Sequence, residues 1–105
     1  MRRFVEVFWD GEAFVGGTHE EIRDCYGLST LNIMVKKEPL VMPTFSVTVT
    51  YMHSDQPSVE DVSLTFTPDA MGAVLASLPI YSRYVKVTLD IEAGLEVRAW
   101  VGATP

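Results

Sequence analysis

The stretch Phe45-Ser46-Val47-Thr48-Val49-Thr50-Tyr51 places Phe45, Val47, Val49 and Tyr51 on one face and Ser46, Thr48 and Thr50 on the other. A period of two over seven residues rich in β-branched and aromatic side chains is the signature of a strand with one buried face. Ser54, Asp55, Gln56 and Pro57 follow, a composition that favours turns because short polar side chains bond their own backbone. Val62, Leu64 and Phe66 then alternate with Ser63, Thr65 and Thr67, so the two runs read as a hairpin with a hydroxyl-rich outer plane.

Outward from this hairpin the same period recurs. Leu31, Ile33 and Val35 alternate with Asn32, Met34 and Lys36 ahead of a loop bracketed by Pro39 and Pro43. Val85, Val87, Leu89 and Ile91 form another run. After Glu92, Ala93 and Gly94 the chain resumes as Leu95, Val97, Ala99 and Val101, which reads as a second hairpin. At the amino end Val5, Val7 and Trp9 alternate with Phe4, Glu6 and Phe8. Asp10-Gly11 reads as a turn, with Ala13 to Val15 as a short returning partner.

Two helices are expected between these strands. Thr18 and Glu21 have capping-box spacing, predicting a two-turn helix over Glu20 to Tyr26 that buries Ile22, Cys25 and Tyr26 and stops at Gly27. Thr67, Pro68 and Asp69 read as cap, first helical residue and dipole-facing carboxylate, predicting a helix to about Leu78 with Met71, Val74, Leu75 and Leu78 on one stripe. The helices do not separate strands regularly. The expected fold is therefore mainly β, a jelly-roll-like β-sandwich of five to seven strands with two short helices, as a single domain over residues 1–105.

Composition narrows the function. Of 105 residues, 48% are hydrophobic and 21% charged, as in ordinary globular proteins. A formal net charge of -6 disfavours nucleic acid and anionic membranes as partners. The basic pairs Arg2-Arg3 and Lys36-Lys37 lie in no longer basic run. Cys25 is the single cysteine, so no intrachain disulfide is expected. The amino-terminal alternation lacks the continuous apolar core of a signal peptide, and a cytoplasmic site of synthesis and assembly is expected.

No catalytic constellation emerges. His19 and Cys25 stand six residues apart and point to different faces of the expected helix. The two-His helical zinc spacing fails because Arg23 occupies the required position. The acidic loops Asp55, Glu60, Asp61 and Asp90, Glu92 have oxygen donors for calcium without the alternating spacing of a dedicated loop. No catalytic residue, metal or cofactor is assigned.

Surface features point instead to binding. Thr48, Thr50 and Thr65 would form a charge-poor plane, covered by a partner or by a helix. Trp100 falls on the polar phase of the last run and reads either as an interface anchor or as a residue covered by the amino-terminal strand. Tyr51 and Trp100 complete the candidate interface.

The segment Tyr81-Ser82-Arg83-Tyr84-Val85-Lys86-Val87-Thr88-Leu89, continuing to Trp100 and Gly102, resembles the closing strands of small β-sandwich modules in phage virion proteins, over about a fifth of the chain. Similar Arg-Tyr-hydrophobic strands occur in discoidin-like carbohydrate-binding modules. The first resemblance implies a decoration, head-tail or tail accessory protein of the virion, assembled in a host cytoplasm, homo-oligomeric or part of a larger assembly. The second implies a small carbohydrate-binding module, without assigning it any binding residue. Read from the residues alone, such a module would use exposed aromatics such as Trp9, Tyr84 or Trp100, with the loop carboxylates and calcium.

Overall fold

The computed structural model describes residues 5–105, so the predicted placement of Phe4 lies outside the described residues. Six strands form one antiparallel, nearly closed sheet: β1 (Glu6–Asp24), β2 (Thr30–Lys36), β3 (Phe45–Met52), β4 (Val62–Phe66), β5 (Ala73–Pro79) and β6 (Tyr84–Thr104). The fold is mainly β, and neither predicted helix is present.

β6 is the hub. β1 lies antiparallel alongside it from Glu6↔Ala103 to Asp24↔Tyr84. Its other neighbour is β3 over Tyr84 to Ile91 and β2 over Arg98 to Thr104. The hairpin β3–β4 forms in the expected register, with Thr48 opposite Thr65. β5 pairs with β2, giving the order β4-β3-β6-β2-β5.

The expected hairpin at Glu92-Ala93-Gly94 is instead a bend within one long strand. β1 bends with it, and the register shifts between Val15 and Gly17. At this point Gly16 passes so close to β6 that a Cβ there would lie 3.0 Å from the Ala93 Cα. Glu92 anchors the bend to the entry of β3: its N–H donates to the Thr44 carbonyl (3.0 Å), and its carboxylate accepts from the Thr44 N–H (2.8 Å).

Inward-facing residues of both stretches of β6 join one core. Val85, Val87, Leu89, Val97, Ala99 and Val101 are buried together with Leu31, Val35, Val47 and Val49. On β1 the strict alternation fails at a register shift between Val7 and Trp9, and consecutive Phe8 and Trp9 are both buried.

The first predicted helix is replaced by β1 running through Asp24, because pairing with β6 supplies every residue from Thr18 onward with a ladder partner. Thr18 caps nothing; its hydroxyl donates to Asp90 at 2.7 Å. The second is replaced by a tight turn. Asp69 Oδ1 accepts from the N–H groups of Met71 (2.8 Å) and Ala73 (3.2 Å), so the capping carboxylate serves a turn rather than a helix. Val74, Ala76 and Leu78 then face inward against Val35, Ile33 and Leu31, a period of two in place of the helical stripe.

Candidate functional site

The outer face of the β5-β2-β6 region carries the most distinctive surface chemistry. In the ladder Leu75 is opposite Met34, and Met34 is opposite Trp100. Three apolar side chains from three strands therefore form one row on the solvent side. Leu75 is 66% and Met34 38% exposed, and Trp100 is half-buried. A shallow depression of about 560 Å³ runs between them, with Asn32 and Ser77 at one side.

β1 supplies the seat for Trp100. A Cβ at Gly11 would lie 2.9 Å from the indole Nε1, so the ring rests directly on the Gly11 backbone. The expected Asp10-Gly11 turn is in fact a register shift in β1. It holds a second residue of the face as well, because Arg98 donates to the Gly11 carbonyl at 3.1 Å. The amino-terminal strand thus covers one flank of Trp100, as one of the two readings expected, and the other flank is open toward Met34.

Two residues along the same ladder, Lys36 and Arg98 are directly opposite each other, and both are exposed. Like charges at such a pair repel. Among the described residues neither makes an ion pair, the three pairs present being Arg23 with Glu6, Arg23 with Glu21, and Arg83 with Asp24. The face therefore joins an apolar row to an uncompensated cationic pair on a chain of net charge -6.

The threonine plane is organised differently. Thr48 and Thr65 hydroxyls lie 3.1 Å apart, and Thr50 and Ser63 hydroxyls 2.9 Å apart. These groups satisfy one another, and Thr50 is buried. No helix covers the plane. Tyr51 is buried rather than available for packing on a neighbour: its hydroxyl donates to the Pro79 carbonyl at 2.7 Å, and burial raises its pKa. It braces β3 against the end of β5. A second cleft of about 470 Å³ lies between Tyr51, Val62, Leu64 and Tyr81, with His53 and Glu60 at its mouth.

The remaining candidates are dispersed. Cys25 is buried, and desolvation pushes its thiol up to about 11. His19 Nε2 lies 2.9 Å from the Val15 carbonyl and its ring packs on Phe14. Asp61 accepts from the Ser58 N–H, and Asp90 and Glu92 hold Thr18 and Thr44. Three of the five loop carboxylates thus serve as turn and strand locks. Among the described residues no three His, Cys, Asp or Glu side chains gather into a group able to hold a metal. Of the aromatics expected for sugar binding, Trp9 is in the core and Tyr84 is half-buried beside Arg83.

Met34 and Leu75 escaped the sequence reading. Met34 stands on the polar phase of its strand, a signal equal to that of Trp100, but nothing local brings the two together. Compared with protein-family models, curated proteins and solved structures, the chain matches none.

Proposed function

We propose that this protein is a non-enzymatic structural subunit that attaches to neighbouring protein through the outer face of β5, β2 and β6. The observation that carries this reading is the row Leu75, Met34 and Trp100 beside the Lys36–Arg98 pair. An apolar centre with an aromatic anchor gains free energy when a partner removes it from water. Carboxylates on that partner would relieve the lateral repulsion of the two cations. In this reading the bent sheet acts as a β-sandwich, whose inner faces make the core and whose outer faces make contacts. The resemblance of Tyr81 to Leu89 and Trp100 to phage virion modules supports a role as a decoration, head-tail or tail accessory protein.

Light scattering over a concentration series, with and without a calcium chelator, tests this. The wild-type chain is expected to form assemblies larger than a dimer, unchanged by chelation. Met34→Glu, which places a charge in the centre of the row, is expected to reduce their mass. An unchanged mass in that variant refutes attachment through this face, and a chelator-sensitive mass moves the assignment to the calcium-assisted binding module.

A further inference from the structure

The three strands with a free edge are protected unequally. β1 has three register shifts and carries Glu12, Glu20, Glu21 and Arg23 along its length. β4 is five residues long and follows Glu60 and Asp61. Short, irregular or charged edges resist pairing with another chain. β5, Ala73-Val74-Leu75-Ala76-Ser77-Leu78-Pro79, carries no charged residue and no register shift along its pairing with β2.

Its hydrogen bonds show which backbone groups are free. The Lys37 N–H donates to the Gly72 carbonyl at 2.9 Å, which fixes the phase of the β2–β5 ladder. Groups alternate in direction along a strand, so Val74, Ala76 and Leu78 face β2 while Ala73, Leu75, Ser77 and Pro79 face outward. The two ends of that outward edge are already occupied. Ala73 accepts from the Asp69 N–H (2.9 Å) and donates to the Asp69 carboxylate (3.2 Å). Pro79 has no N–H, and its carbonyl accepts from Tyr51. Among the described residues, only the N–H and C=O groups of Leu75 and Ser77 remain without a partner on this edge.

From this inventory we infer that the partner at β5 is a second copy of the chain, paired antiparallel about a two-fold axis at Ala76. In that register Leu75 faces Ser77 of the second copy and Ser77 faces its Leu75. Each facing pair exchanges both N–H···O bonds, so all the free groups are satisfied in four hydrogen bonds. Neighbouring registers fail. Centring on Leu75 sets Ser77 against Ala73, whose groups Asp69 holds. Centring on Ser77 sets Leu75 against Pro79, which cannot donate. The absence of charge on β5 spares the seam any like-charge contact.

The dimer also carries the apolar row across the seam. The two Leu75 side chains become diagonal neighbours on the outer face, extending the row that starts at each Trp100. The inference thus deepens the reading of that face as an attachment surface, and it rests on that reading for its biological purpose.

The decisive measurement is sedimentation velocity of the full chain in the Met34→Glu background, where attachment through the face is disabled. This variant is expected to remain a dimer. Adding Ser77→Pro removes the outward N–H without touching the β2 ladder, and is expected to weaken the dimer by roughly tenfold or more. Leu75→Glu in the same background gathers carboxylates at positions 75 and 34 of both copies around the two-fold axis, leaves every backbone bond intact and is expected to yield the monomer. Hydrogen exchange should show the Leu75 and Ser77 amides protected in the dimer, the Leu75 amide exposed after either change, and the Ser77 amide exposed after the change at position 75. A Met34→Glu chain that is already monomeric overturns the edge pairing while leaving the face reading standing. A dimer indifferent to both β5 substitutions overturns it equally. If Met34→Glu assembles like wild type but the added Leu75→Glu is monomeric, the edge pairing holds and the face reading falls.

Discussion

Gly72→Ala tests whether the turn that launches β5 is held by its backbone. Gly72 is buried with φ +77°, and a Cβ there would lie 2.9 Å from the Lys37 carbonyl oxygen and 3.2 Å from the Pro39 Cα. A left-handed conformation costs an L-residue about 1–2 kcal/mol. The contacts are with backbone that is itself bonded, since the Gly72 carbonyl accepts from Lys37, so an overpacking cost of about 1–3 kcal/mol is added. Gly27 supplies the control: its φ is +81°, but a Cβ would meet nothing within 4 Å. Alanine there carries the strain alone. Restriction of the unfolded chain offsets each substitution by about 0.5–1 kcal/mol and cancels in the comparison. With a urea slope of about 1.5 kcal/mol/M, Gly72→Ala should lower the unfolding midpoint by about 0.7–2 M more than Gly27→Ala. Equal midpoints for the two variants would refute the packing argument at the Lys37–Gly72 junction.

Two further outcomes follow from the titratable groups. The Arg83 guanidinium donates to both Asp24 oxygens and holds that carboxyl below its ordinary value of 3.8, with help from the Tyr26 N–H. A depressed folded-state pKa contributes stability above the unfolded value and loses it as pH falls through the folded one. The urea midpoint of wild type should therefore exceed that of Asp24→Asn at neutral pH, and the gap should close below pH 3.8; a gap that persists there contradicts the pairing. Cys25 is 1% exposed with its thiol pushed up to about 11, so iodoacetamide at pH 8 should label it only as fast as the chain opens. Rapid labelling of the native protein would contradict its burial.

Most strands are legible in the sequence because one buried face imposes a period of two, and Phe45 to Tyr51, Leu31 to Val35 and Val85 to Ile91 all follow it. The β3–β4 pairing is legible too, since its turn is local. What fails is every inference from a capping signal alone. Asp69 does bind the amides that a helix cap would bind, but turns have the same unsatisfied groups, and the stripe through Val74 and Leu78 fits a strand as well as a helix. Glu92-Ala93-Gly94 has hairpin composition, yet the Glu92 side chain and backbone are both engaged with Thr44 and the strand bends without reversing. Trp100 is legible as an outward residue from its phase. Its neighbours are not, because Met34 on β2 is separated in sequence from Leu75 on β5 and Trp100 on β6 by the whole β3–β4 hairpin, and the three join only through long-range pairing.

The same remoteness explains why β1 is the element most misread. Its partners on β6 run from Tyr84 to Ala103, so nothing near Thr18 in sequence favours a strand over the short helix that Thr18 and Glu21 suggest. A two-turn helix is marginal in water, whereas pairing with β6 supplies a ladder partner for nearly every residue and buries Phe8 and Trp9. The balance between the two tips only when the opposite end of the chain arrives. The outer face of β5, β2 and β6 depends on the same pairing: Trp100 has its seat on Gly11, and Arg98 its anchor, only where β1 lies on β6. Formation of the proposed attachment surface is thereby tied to completion of the sheet, and a chain that has not closed β1 onto β6 presents Trp100 without the backbone that orients it.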